Sequence, residues 1–191
     1  MLSFIMLSAC GASKTDADDD DTTTEPTLVA DAAADYSPST QGVNGWSYRR
    51  GEGTDTVEMT VGTDAWGDTT WCNASDRNSA FFGPDGAFLR LHPGLVTNTV
   101  LRWTAPAKGR YRLQLSTRKE DVGGGDGVQT TIYRNDQPMA TQTLAFDQST
   151  EISNEFDSTL LVGDTLSAEV NELSDGFNDS TGLEFVVLRQ E

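Results

Sequence analysis

From Tyr36 onward, apolar and polar residues alternate in short runs separated by turn residues, the pattern of β-strands buried on one face. The clearest run is residues 110–118. Tyr111, Leu113, Leu115 and Thr117 share one face; Arg110, Arg112, Gln114, Ser116 and Arg118 share the other. Residues 54–61 alternate as well, with Val57, Met59 and Val61 on the apolar side. Further strands are predicted over 87–91, 99–104, 128–134, 139–146, 158–162, 165–170 and 183–189. Pro106 ends the run at 99–104, because proline cannot donate to a ladder. Asn135-Asp136 and Gly163-Asp164 stand where hairpin turns are expected, and His92-Pro93-Gly94 is a further turn. No stretch sustains a helical period beyond two turns. About eight to ten short strands in this length predict an all-β protein, an antiparallel β-sandwich of jelly-roll type.

Charge separates this domain, residues 36–191, from what precedes it. Residues 11–35 carry eight acids against the single base Lys14, within a chain of net charge −17. Such a segment buries too little apolar surface to offset its ordering entropy, so residues 10–35 are expected to form a disordered acidic tether, extended by self-repulsion. Residues 28–34 fit a short helix, a linker or an edge strand equally. The acidic surface repels phosphate backbones and excludes nucleic acid as a partner.

Residues 2–9 are apolar or small and lead into Leu7-Ser8-Ala9-Cys10-Gly11, which resembles the lipobox of bacterial lipoprotein signal peptides. The resemblance implies an exported protein whose Cys10 carries diacylglycerol and anchors it to a membrane. Gly11, where an aspartate would favour inner-membrane retention, points to the outer membrane. No Lys or Arg precedes Cys10, so residues 1–9 are expected to be a truncated signal peptide with the gene start upstream. Lipidation leaves Cys72 unpaired, and it is expected to be a small buried core residue.

Six further segments occur in order: Gln41–Tyr48 (QGVNGWSY), His92-Pro93-Gly94, residues 101–106 (LRWTAP), residues 123–128 (GGGDGV), Val162-Gly163-Asp164-Thr165 and residues 178–182 (NDSTG). Together they resemble a jelly-roll module of bacterial secreted and surface proteins that is similar to carbohydrate-binding modules. Modules of this type often carry Gly-Tyr after the first tryptophan motif, where this chain has Arg49-Arg50. The resemblance implies a sugar-related setting, with polysaccharide or another glycan as partner, and a structural calcium near the chain ends with Asp179 as its first ligand.

Sugar rings stack on aromatic faces, so Trp66, Trp71 and Tyr48 are the candidate platform, with Trp46 and the Phe81-Phe82 pair behind them; Trp103, mid-strand, belongs to the core. Trp66 and Trp71 flank a segment of turn-forming residues, and loops on rigid β scaffolds gather binding residues. The glycine-rich loop at 119–127 offers Asp121 and Asp126 with free backbone carbonyls, suited to Ca²⁺, which takes six to eight oxygens. Asp126 also borders the expected sugar surface. Asp175, Asn178 and Asp179 make a second oxygen-rich loop. Catalysis finds little support: His92 is the single histidine, no nucleophile elbow occurs, and zinc sites of two or three histidines are excluded. The sequence thus points to a non-catalytic surface lipoprotein that binds carbohydrate. The alternatives are a structural or adhesive protein-interaction module and a small glycan hydrolase using a carboxylate pair.

Overall fold

A computed structural model describes residues 25–64, 67–72, 80–148 and 150–190. Among these the chain forms strands β1 (Thr27–Asp31), β2 (Trp46–Glu52), β3 (Asp55–Glu58), β4 (Thr60–Thr63), β5 (Thr69–Cys72), β6 (Phe81–Asp85) and β7 (Phe88–His92). They are followed by β8 (Asn98–Thr104), β9 (Gly109–Lys119), β10 (Val128–Arg134), β11 (Gln137–Leu144), β12 (Ile152–Leu160), β13 (Thr165–Asn171) and β14 (Thr181–Gln190).

The strands build two antiparallel sheets. One runs β12-β9-β14-β7-β6-β5-β4, and the other runs β11-β10-β13-β8-β2-β3. On its far side β14 pairs first with β7, through Thr181–Leu183, and then with β1, through Val186–Arg189. Between β7 and β14 the chain crosses repeatedly from one sheet to the other, with β10-β11 as the one hairpin. This winding is what makes the sandwich a jelly roll.

Inward rows from both sheets fill the space between them. Tyr111, Leu113, Leu115 and Thr117 are buried on β9, as their alternation requires. Trp46 meets Phe185 edge-on at 4.9 Å, Trp103 meets Tyr111 edge-on at 5.3 Å, and Tyr48 stacks on Trp71 at 5.3 Å. Each indole N–H finds an acceptor: Trp46 donates to Asp35, Trp103 to the Asn44 carbonyl and Trp71 to the Ser37 carbonyl. These tryptophans can be buried here because their one polar group is satisfied.

Several expectations are corrected. Residues 54–61 are not one strand: β3 lies in the second sheet and β4 in the first, and the chain changes sheets at Met59. Met59 is buried, whereas Val57 and Val61 are exposed. Gly163-Asp164 is a corner between sheets rather than a hairpin, since β12 and β13 belong to different layers. The expected linker at 10–35 overlaps the folded domain. Its residues 27–31 are strand β1, Ala30 and Ala32 are buried, and Asp35 accepts bonds from Asn44 and Trp46. Of the three readings open for 28–34, the edge strand is the one the chain adopts over Leu28–Asp31. Asn135-Asp136 is a hairpin turn as expected, both residues having positive φ.

The topology gathers one set of connections at one end of the sandwich: the β2–β3 turn and the β7–β8, β9–β10, β11–β12 and β13–β14 loops. In register terms, Lys119 sits opposite Thr181, Gln129 opposite Asn171, and Asn98 opposite Gly51. Strand ends from both sheets therefore converge on one rim.

Candidate functional site

Two of the three residues expected to form the aromatic platform, Trp71 and Tyr48, are not on the surface. Trp71 is 3 % exposed and Tyr48 1 %, each with a ring face against the other. Neither leaves a face for a sugar, because β5 and β2 turn these side chains into the space between the sheets. Trp46, Trp103, Phe81 and Phe82 are buried too. Trp66 and Cys10 lie outside the described residues. Cys72 is buried, as expected. His92 is buried and stacked on Phe81 at 5.8 Å, with Nδ1 against the Pro93 carbonyl; burial holds its pKa below the usual value.

The acidic residues, in contrast, do converge. Asp126 in the β9–β10 loop and Asp175 and Asp179 in the β13–β14 loop offer carboxylate oxygens that all lie within 4.8 Å of one another. Two glycines make the approach possible. A Cβ on Gly124 would lie 2.2 Å from the Asn178 amide nitrogen, and one on Gly125, whose φ is +73°, would lie 2.1 Å from the Phe177 carbonyl oxygen. Asp126 accepts bonds from the amide and hydroxyl of Ser174 through Oδ2. The Ser174 hydroxyl, foremost, holds its carboxyl below the usual carboxylate range. Asp175 accepts the Phe177 amide at 3.1 Å.

Asp179 has no exposed surface; its Oδ1 stands 3.0 Å from the equally buried Lys119 ammonium, while its Oδ2 has no partner. Asp126 Oδ1 is likewise buried and unpartnered. Oxygens arranged in this way can hold a metal ion: opposed ligands of a hard cation with bonds near 2.4 Å stand up to about 5 Å apart. Asp121, expected among the ligands, is not in this cluster. It lines a separate small pocket of about 260 Å³ with Asp85, Arg90 and Glu120, because the glycine-rich turn carries the chain away between Asp121 and Asp126. Asp175 takes the place expected for it.

Burial, aided by repulsion from Asp126 and Asp175, pushes the Asp179 carboxyl up to about 6 against the favourable pull of Lys119. The folded domain therefore binds a proton here that the unfolded chain releases near its ordinary value. The contribution of Asp179 to stability is complete below about pH 4 and is lost as pH rises through about 6. In the presence of chelator, the thermal midpoint of the wild type should fall relative to that of Asp179→Asn as pH is raised from roughly 4 to 7. Parallel pH profiles would show that Asp179 titrates normally.

Beside the cluster lies a groove of about 680 Å³. Glu52 and Asp55 from the β2–β3 turn, Thr97 and Asn98 from the start of β8, and Asn171 and Glu172 from the end of β13 line it. Its wall rests on Glu169, buried on β13. This carboxylate accepts the Gly53 amide at 2.9 Å and the Asn98 side-chain amide at 2.5 Å, and Asn171 in turn donates to Asn98 at 3.0 Å. Glu172 joins groove and cluster. Its Oε2 is buried without a partner, and burial, with repulsion from Asp126 and Asp175, raises its pKa. Phe177, in the same β13–β14 loop, is 66 % exposed. Reasoning from sequence missed both the groove and Phe177. The available signal was an aromatic placed inside an Asp-Gly-Phe-Asn turn, where no strand face could bury it.

Fold and site together define an antiparallel β-sandwich with a polar, acidic rim. No family model matches the chain, and no curated protein does. Carbohydrate-binding modules are among its structural neighbours. The CBM51 module of Clostridium perfringens GH95, solved with methyl-galactose, is 12 % identical with a TM-score of 0.42, over 74 % of this chain and 92 % of that one. A family 35 carbohydrate-binding module from Clostridium thermocellum is 16 % identical with a TM-score of 0.38, over 57 % and 87 %. The module CBM6cm-2 of Cellvibrio mixtus lichenase 5A, solved with cellotriose, is 10 % identical with a TM-score of 0.36, over 86 % and 100 %.

Proposed function

We propose that the domain is a non-catalytic carbohydrate-binding module, held at a bacterial membrane through a lipid on Cys10, with its ligand in the rim groove. The observation that carries this reading is the convergence of two amides and three carboxylates on one concavity, in a loop system that also presents an exposed phenylalanine. Sugar hydroxyls donate and accept at once, and planar amides and carboxylates match them in pairs. An exposed ring in the same loop system would supply the apolar face that sugars stack upon. The sequence resemblance to sugar-related jelly-roll modules agrees with this chemistry.

The same reading places calcium on Asp126, Asp175 and Asp179. The ion would tie the β9–β10 loop to the β13–β14 loop and neutralise the charge that they bring together. Export and the membrane anchor rest on the lipobox resemblance, and a mass measurement showing an acylated Cys10 in native protein tests them.

Titration of the protein against a panel of neutral, amino and acidic polysaccharides tests the groove. Binding of at least one glycan is expected, weakened about tenfold or more by Asn171→Ala or Phe177→Ala, the scale of a lost hydrogen-bond set or stacking surface. A panel without binding rejects the reading. A second reading has an observation of its own: Glu172, with a raised pKa, shares the groove with Glu52 and Asp55, as the acid and base of a glycosidase must share a cleft. Release of reducing ends from any glycan of the panel, abolished by Glu172→Gln, would establish that reading instead.

A further inference from the structure

The inward row of β9 runs Tyr111, Leu113, Leu115, Thr117, and its next member is Lys119. The inward row of β14 read backwards runs Val187, Phe185, Leu183, Thr181, and two residues before Thr181, in the β13–β14 loop, stands the buried Asp179. Lys119 and Thr181 are directly paired in the sheet. Two neighbouring apolar rows thus end in a cation and an anion, and both side chains are 0 % exposed. The ammonium donates to the Asn178 carbonyl and stands 3.0 Å from Asp179 Oδ1, so it holds two consecutive residues of the β13–β14 loop. Beside it, the Glu120 amide donates to the Ser180 carbonyl at 2.9 Å, continuing the seam.

An ammonium buried among oxygens does the work otherwise given to a structural metal ion: it neutralises a buried carboxylate and gathers carbonyl oxygens about a positive centre. Burying it alone would be strongly unfavourable, and only the partner charge and the fixed carbonyl make the position tenable. We infer that the Lys119 ammonium is the resident cation of this rim, closing the β13–β14 loop onto the sandwich, so that the domain folds without a metal ion. An ion on Asp126, Asp175 and the free Oδ2 of Asp179 is then an exchangeable addition to a folded protein. The inference concerns the loop shared with the calcium reading but holds whether or not calcium binds.

Thermal unfolding of the full chain in chelator and in excess calcium tests it. The chelated wild type is expected to melt cooperatively. Lys119→Met should lower the chelated midpoint by roughly 10 °C, since it strands a buried carboxylate. Lys119→Met combined with Asp179→Asn should recover most of that loss, because no stranded charge remains. A chelated wild type without a cooperative transition would overturn the inference, because the metal would then be the structural cation. So would a Lys119→Met variant with the wild-type midpoint. Where the single variant yields no folded protein, the double variant decides: a midpoint near that of the wild type supports the ammonium as resident cation, and equal failure overturns it. Glycan binding enters none of these outcomes.

Discussion

Trp71→Ala is expected to destabilise the domain by about 3–5 kcal/mol, the cost of emptying a large aromatic from a packed core. The indole fills the space between the sheets against Tyr48, and its N–H donates to the Ser37 carbonyl at 2.7 Å. Truncation removes the stacking, opens a cavity and leaves that carbonyl without its donor. It also loosens the anchoring of the segment after β1, since Ser37 sits between Tyr36 and the loop that leads to β2. Tyr36 packs edge-on against Tyr48 at 5.4 Å and would lose support in turn. Denaturant unfolding measures the effect. A midpoint shift below about 1 kcal/mol would show that the ring is not buried as described. The distinction matters, because Trp71 is also the residue that sequence reasoning singles out for sugar stacking. A platform residue would instead lower affinity and leave stability nearly unchanged.

Glu169→Ala is the second large effect, expected near 3 kcal/mol with an accompanying loss of groove binding. The Glu169 carboxylate is buried on the outer side of β13 yet is bonded to two further elements. It accepts the Gly53 amide and the Asn98 side chain. Each donor is left without its partner by the alanine, and an unsatisfied buried donor costs about 1–3 kcal/mol. Glu169→Gln keeps the shape but puts an amide N–H where one of these donors needs an acceptor, so about half the loss is expected to remain. Hydrogen exchange at the Gly53 amide gives a local readout: protection should collapse in the alanine variant before the sandwich as a whole opens. Unchanged protection would show that Glu169 does not hold the groove wall.

These two residues mark what was legible beforehand. The strand at β9 was readable because its alternation is complete within one segment and depends on nothing distant. Residues 128–134 match β10 at both ends for the same reason, with a turn of two positive-φ residues closing the hairpin. β5 was not readable: Thr70, Trp71 and Cys72 are all buried, so the strand shows no alternation and looks like a turn between two tryptophans. β1 was ambiguous because five residues at a sheet edge carry little periodicity, and their partner, β14, lies more than 150 residues away. The break at Met59 was invisible, since a strand that changes sheets keeps its alternation while its apolar partners change.

The carboxylate cluster was half legible. Asp126 and Asp179 could be named because glycine-rich and Asx-rich loops declare themselves locally. The choice of Asp175 over Asp121 could not be made, for it depends on where the turn through Gly123, Gly124 and Gly125 sends the chain.

The sequence by itself thus determined the class of fold, through period-two patterning and turn residues, both of them local signals. Only the tertiary structure decided which aromatics face the core, which acids meet, and that Lys119 ends an inward row against Asp179. Those are questions of which strand lies beside which, and pairings between distant segments leave no periodic trace in either segment. Asp126, Asp175 and Asp179 meet because the winding of the sandwich brings the β9–β10 and β13–β14 loops to one open end, whereas β5 turns Trp71 into the core.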